Sequence, residues 1–263
     1  MIFTLMKQEA VKLFTKSFVP LLFGLVTVLE AGVMIFNASN VKVSTLEAVT
    51  APQMLGEGLT IGIRFGAWVV LIIAAMAFSQ ESSDGTIKTM LVMPIERYQW
   101  LVAKIAFLSV LAMLLVFSLS LVGIVVVAFF QGWGPVVRDG IEIFDAGLVW
   151  SMVFKMIGLT ALFMLPVAGL GLMIGSFFKS SGPAVGVTMV TWLMLTTVGE
   201  MLPAKFVFSV YLEKPADLLV KLGKGLPFVW QSLATWGLGV ALVSFCAFVF
   251  LVGFRFHNMD ITD

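Results

Sequence analysis

The sequence offers few side chains able to do covalent or metal chemistry. It holds a single cysteine, Cys246, and a single histidine, His257. One cysteine excludes an intramolecular disulfide framework and any cysteine-held zinc or iron–sulfur cluster, and one histidine near the C-terminal residue argues against a His-ligated catalytic metal. The methionines, 16 in all, could offer thioether sulfur to Cu(I). They are scattered, however, with helical adjacency only in pairs such as Met90/Met93 and Met152/Met156, and methionine is equally a filler of apolar cores. A phosphate-binding loop needs G-x-x-x-x-G-K-[ST], so that backbone amides and a lysine cradle the phosphates. The Gly-Lys pair, Gly223-Lys224, is followed by Gly225 and has Leu218 where the first glycine belongs.

Two sets of polar residues remain. The first is ionisable groups set within or at the edge of long apolar runs: Glu30, Arg64, Lys155 and Glu200. A charge inside a membrane span is costly and is a functional candidate by default. Two readings stand for this set, a polar outer cavity or gate, and a structural ion pair of Glu30 with Arg64 or Lys155 that fixes helix packing. The second set is the stretch QESSDGTIKTMLVMPIERYQWLVAK, residues 80–104. There Asp84 is suited to cap a short helix over 85–92, which Pro94 interrupts. That segment reads either as a docking element or as a solvated connection. Glu81 and Arg97 fall outside the apolar runs, where a charge can make a charge-assisted contact with a partner at small cost to the bilayer.

These groups must be positioned by elements that the composition defines. Of the 263 residues 60% are hydrophobic and 12% charged, with a mean hydropathy of +1.08, against roughly 45–50% and 25% in soluble domains. The chain is an integral membrane protein. A net charge of +1 is incompatible with the charge-rich composition of disorder and gives no electrostatic footprint for nucleic acid. Apolar runs of the length needed to span, about 20 residues, occur at 18–36, 61–79, 100–130, 148–178, 183–202 and 233–254. Their continuity predicts helices, since barrel strands alternate apolar with polar residues. The expected fold is therefore all-α: a single polytopic transmembrane domain over residues 1–263 with about six transmembrane helices. Trp68, Trp100, Trp133, Trp150, Trp230 and Trp236 lie near the predicted interfaces as aromatic anchors, and Trp192 falls in mid-span as a packing residue. Gly169, Gly171 and Gly175 give small-residue spacing for close helix approach.

Residues 1–17 interleave Lys7, Lys12 and Lys16 with apolar residues, unlike a cleavable signal. On a helix Ile2, Phe3, Met6, Ala10, Leu13 and Phe14 share one side, while Thr4, Gln8, Lys12 and Thr15 share the other. This predicts an N-terminal amphipathic helix lying in the membrane interface.

The order Glu81, Gly85-Thr86, Leu91, Pro94, Arg97 and then Lys104 opening the next span resembles the signature of ABC-2 type transporter permeases, the membrane subunits of type V ATP-binding-cassette exporters. The likeness extends to the amphipathic N-terminal helix, the six spans, the turn FFKSSGPAVG between spans four and five, and the longer segment 201–232 before span six. It implies that the 80–99 loop is a cytoplasmic coupling helix seated in a groove of an ATPase. The coupling residues would be Glu81, Asp84, Gly85, Thr86, Leu91, Pro94, Arg97 and Lys104. It also implies that no cofactor belongs to this chain, ATP and Mg being held by a separate ABC ATPase subunit, and that the permease pairs with a second copy as a homodimer in the lipid bilayer of the inner (cytoplasmic) membrane. ATP hydrolysis by that partner would drive substrate export; mechanical signalling to an extracytoplasmic partner is the alternative within the family. A membrane-embedded enzyme would need paired acids, a histidine cluster or a Ser/Lys arrangement within the spans, and the sequence displays none.

Lysine and arginine counts leave the orientation tied, eight on each side, and the three lysines before the first span favour an inside N-terminus. With Cys246 replaced by serine, single cysteines near Ser83 and Ser180 are expected to be protected from an impermeant thiol reagent applied outside, while those near Ser39 and Asp217 are labelled. The reverse pattern would invert the topology and remove the coupling loop from the cytoplasm.

Overall fold

The computed structural model describes residues 2–15, 18–44, 49–83, 97–138, 141–199 and 206–258. Its helices are α1 (Ile2–Phe14), α2 (Phe18–Ser44), α3 (Ala51–Ser83), α4 (Arg97–Phe130), α5 (Ala146–Phe163), α6 (Leu165–Gly175), α7 (Ser181–Gly199), α8 (Lys214–Gly223) and α9 (Leu238–His257). A short antiparallel hairpin, β1 (Val136–Arg138) and β2 (Ile141–Phe144), precedes α5. Six helical stretches are long and apolar enough to cross a membrane, with α5 and α6 together forming the fourth. The protein is an all-α polytopic membrane protein.

The second span is much longer than its apolar run. α3 begins at Ala51, with Pro52 in the first turn where its missing N–H costs nothing, and continues to Ser83 for 33 residues. At 1.5 Å per residue that is about 50 Å, against a hydrocarbon layer of about 30 Å. The helix is therefore longer than the layer is thick, and apart from Arg64 and Ser79 its polar residues fall outside the apolar run 61–79. α3 is also the hub, packing against α2, α4, α6, α7 and α8.

Small residues on α3 set how closely the neighbours approach. Gly58, Gly62 and Gly66 recur every fourth residue and so share one face. A Cβ at Gly58 would lie 2.4 Å from Met34 Cγ of α2, and one at Gly66 would lie 2.6 Å from Leu115 of α4. On the α6 side, a Cβ at Gly171 would meet Leu71 O at 2.9 Å and one at Gly175 would meet Ala75 O at 2.4 Å. Gly169 faces Phe245 and Phe248 of α9, so the small-residue spacing serves helix packing.

The fourth span is a single apolar run in sequence but two helices in the structure. Pro166, in the first turn of α6, has no N–H to donate, and its ring opposes the carbonyl one turn back. The chain breaks at Met164 as a result. α6 is buried along nearly its whole length between α3 and α9. By contrast only 22%, 22% and 17% of the apolar windows of α2, α7 and α9 are buried, which places these helices on the periphery.

Segment 201–232 is described from Phe206 onward. It holds a single helical turn, Phe208–Tyr211, and the amphipathic α8. Gly225, at φ +63°, lets the chain turn sharply as Leu226 N–H donates to Lys221 O. α8 lies against the first turns of α3: Thr50 Oγ1 donates to Gly223 O at 2.9 Å, and Val220 sits over Gly56.

Candidate functional site

At the end of the bundle that carries α1, four charged side chains from three helices meet. Lys104 of α4 is 1% exposed and donates to Glu81 Oε2 of α3 at 2.6 Å and to Ala77 O at 2.7 Å. Its Nζ is 3.5 Å from Glu9 of α1 and 4.7 Å from the centre of the Trp100 ring. Lys12 of α1 donates to the other oxygen of Glu81. Two carboxylates and two ammonium groups thus balance, as burial requires. Burial pushes the Glu9 carboxyl above its ordinary value, and adjacent Lys104 pulls it back down. A wall of Phe78, Trp100 and Phe256, in edge and stacked contacts, lies beside the cluster.

Sequence reasoning singled out Glu81 and Lys104 but did not join them. It also ended the second span at Ser79, which left Glu81 in a loop with its charge available to a partner. In the structure Glu81 belongs to α3, is 1% exposed and spends its charge on two lysines of its own chain. Glu9 was missed. It stands among Leu5, Met6, Ala10 and Leu13 on the face of α1 that packs inward, while Phe3 and Phe14, assigned to that face, are exposed. A lone acid in the middle of an apolar helix face was the available signal. Arg97 opens α4; Asp84, Gly85, Thr86, Leu91 and Pro94 lie outside the described residues, as does Glu200.

The opposite end carries a cleft of about 540 Å³ between α3, α7 and the segment leading into α8. Arg64 of α3 reaches Glu213 with a two-pronged contact, Nε to Oε1 at 2.9 Å and Nη2 to Oε2 at 2.7 Å. Trp68, Trp192, Thr196, Lys214 and Asp217 also line it. Asp217 is raised above the ordinary carboxylate range by burial and by neighbouring Glu213, and burial lowers the Lys214 ammonium. The cleft is open and mixed in charge. Arg64 lines it together with Glu213.

The expected ion pair of Glu30 with Arg64 or Lys155 does not form. Arg64 is taken by Glu213, 149 residues away in sequence, and Lys155 lies over the Trp230 ring at 4.8 Å. Glu30 is fully buried between α2, α3 and α4, with no hydrogen-bond partner among the described residues.

Removing one partner from a buried ion pair strands the other, at a cost of about 3–5 kcal/mol, whereas replacing both with apolar groups is often close to neutral. Lys104→Met is therefore expected to destabilise the protein by that order in thermal unfolding of the detergent-purified chain. The double variant Glu81→Leu/Lys104→Met leaves Glu9 and Lys12 to balance each other and should recover at least half of the loss. Additive losses would refute the pairing.

Comparison with known proteins agrees with this architecture. Residues 5–195 match the profile of the ABC-2 family transporter proteins, a stretch running from α1 well into α7. The chain is also 25% identical over 199 residues to Uncharacterized protein YhcI of Bacillus subtilis (strain 168), an alignment covering 73% of this chain. The chain spans 64% of the length of that relative. With the matched stretch holding α1, the hub helix and the cluster that joins them, the chain belongs to the ABC-2 transporter family of multi-pass membrane proteins.

Proposed function

We propose that this chain is the permease of an ATP-binding-cassette exporter, acting as a homodimer in the inner membrane and driven by a separate cytoplasmic ATPase that holds ATP and Mg. The observation that carries this reading is the charge cluster at the ends of α1, α3 and α4. Helices α3 and α4 flank the 84–96 segment, the proposed coupling element, and Lys12 and Glu9 tie α1 to both of them. Displacement of that segment or of α1 is thereby transmitted into α3, the helix that touches most of the bundle. In this scheme Glu81 and Lys104 couple by holding the helix ends together, and Asp84, Gly85, Thr86, Leu91, Pro94 and Arg97 make the contacts with the ATPase.

At the outer end, the Arg64–Glu213 contact joins the hub to the segment that covers the cleft. We assign it as a latch on the outer mouth. Movement of α3 relative to α8 then changes access to the cleft, which gives the ATPase stroke an outcome on the far side of the membrane.

Purification in mild detergent from the native membrane is expected to recover the chain together with a nucleotide-binding ATPase subunit. Recovery of the chain alone would count strongly against the permease reading.

The latch has its own test. Both partners are partly exposed, so its worth is about 0.2–1 kcal/mol. Arg64→Ala is expected to raise the labelling rate of a cysteine placed at Thr196, in the background lacking Cys246, by up to about fivefold. The charge swap Arg64→Glu/Glu213→Arg should restore the slow rate. Equal rates in all three proteins would remove the latch.

A further inference from the structure

Glu30 stands near the middle of α2 with both carboxyl oxygens buried and unpartnered among the described residues. The space it fills is made by glycines on two other helices. A Cβ at Gly62 of α3 would sit 3.1 Å from its carboxyl carbon and 3.2 Å from Oε2. A Cβ at Gly123 of α4 would sit 3.3 Å from Oε1, with Leu55 at 2.7 Å and Met34 at 3.7 Å. The carboxyl thus occupies volume that side chains would otherwise fill at both positions, walled by glycine backbone, leucine and methionine. One turn along α2, Met34 fits against Gly58 in the same manner.

The charged groups on the surrounding elements are committed elsewhere. On α3, Glu57 accepts from Asn37 Nδ2 at 3.1 Å and from Gln53 Nε2 at 3.0 Å, and Arg64 holds Glu213. On α4 the described charged side chain is Lys104, in the cluster at the other end with Glu81 of α3. On α1, Glu9 and Lys12 belong to that same cluster, and Lys7 is exposed on the surface. An isolated carboxylate ion so placed would cost far more than the packing around it returns, and such a group takes up a proton instead. A divalent cation is a poor occupant, because it needs six or more oxygen ligands and the wall supplies methyl, thioether and glycine carbon.

We propose that Glu30 is a proton-binding site within the membrane: its carboxyl holds one proton while α2 lies against α3 and α4, and gives it up to water when those helices part. Bond making and breaking are confined to the O–H of the carboxylic acid and the water that receives the proton. The packed arrangement therefore binds one more proton per chain than the parted one. Acid favours packing, and alkali favours separation. The site stands on the helix packing alone; under the permease reading, each cycle that separates α2 from the hub would release and recapture this proton.

The test uses the full chain in lipid nanodiscs without any ATPase, so a failure of the permease reading leaves it intact. Infrared spectra at neutral pH should show a protonated-carboxyl stretch that is lost in Glu30→Gln and kept in Glu57→Gln. Thermal unfolding supplies the second readout. The packed state keeps a proton that the unfolded chain releases above the ordinary glutamate value, about 4.3. Stability should therefore fall as pH rises beyond that value, the folding equilibrium changing by up to about tenfold per pH unit. Glu30→Gln and Glu30→Leu should fold and lose Glu30's share of this slope, leaving only that of groups such as Glu9 and Asp217, which burial also raises, while Glu57→Gln retains the wild-type slope. An ionised Glu30 at neutral pH, or the same slope in wild type and both Glu30 variants, would overturn the proposal. Failure of both neutral variants to fold would overturn it equally, since a neutral group would then not suffice at this position.

Discussion

A helix of about 50 Å cannot be hidden in an apolar layer of about 30 Å, and α3 is such a helix. Its middle has to satisfy the hydrocarbon and its neighbours, which it does with glycine, alanine and aliphatic residues; its ends have to satisfy water, headgroups or other parts of the chain. The two ends solve the problem differently. The end beside α1 buries Glu81 in a balanced charge cluster. The other end is sheathed by α8, which covers Gly56 and accepts from Thr50. Both devices are built on one continuous helix, which links them physically.

The glycine face of α3 follows from the same constraint. Apolar side chains gain no hydrophobic energy by leaving lipid for one another, so helix association in a membrane rests on close packing and polar contacts. Gly58, Gly62 and Gly66 bring α2 and α4 close enough for such contacts, and Gly171 and Gly175 do so for α6. α7 and α9 lack this degree of enclosure and keep large apolar side chains outward, among them Val190, Met194, Phe250 and Phe254. Those faces suit lipid or, in the proposed homodimer, the second copy.

Hydropathy made the six spans legible because the layer's thickness imposes a length that a sequence must meet. It did not reveal their ends, since the rule concerns apolar residues and α3 and α2 extend into polar ones at 51–60 and 37–44. The break at Pro166 lay inside an unbroken apolar run, where a proline in a span is compatible with either a kink or a new helix. Charges were the hardest to read. Glu81 and Lys104 are 23 residues apart and Arg64 and Glu213 are 149 apart, distances over which no periodicity operates. Glu30 is buried without a hydrogen-bond partner among the described residues, whereas the cost of an isolated ion in a span had pointed to a partner such as Arg64 or Lys155. Lys12 was read as solvent-facing because lysine generally is, yet its long stem lets the ammonium reach inward from the edge of the face.

The arrangement of charge also bears on how a stroke could be carried through such a bundle. A purely apolar interface between α1, α3 and α4 could slide, since one aliphatic contact replaces another at little cost. A buried Lys104 held between Glu81, Glu9 and Ala77 O cannot shift by more than about an ångström without lengthening a charge-assisted hydrogen bond beyond its useful range. The cluster therefore fixes the register of three helix ends even where its net contribution to stability is small. Nearer the middle of α3 the Arg64–Glu213 contact is half in solvent, weak and replaceable by water. A rigid joint in the last turns of α3 and a yielding one near its midpoint is the combination in which, under the proposed permease reading, motion entering at the first is released at the second, and the yielding joint lines the open cleft beside α7.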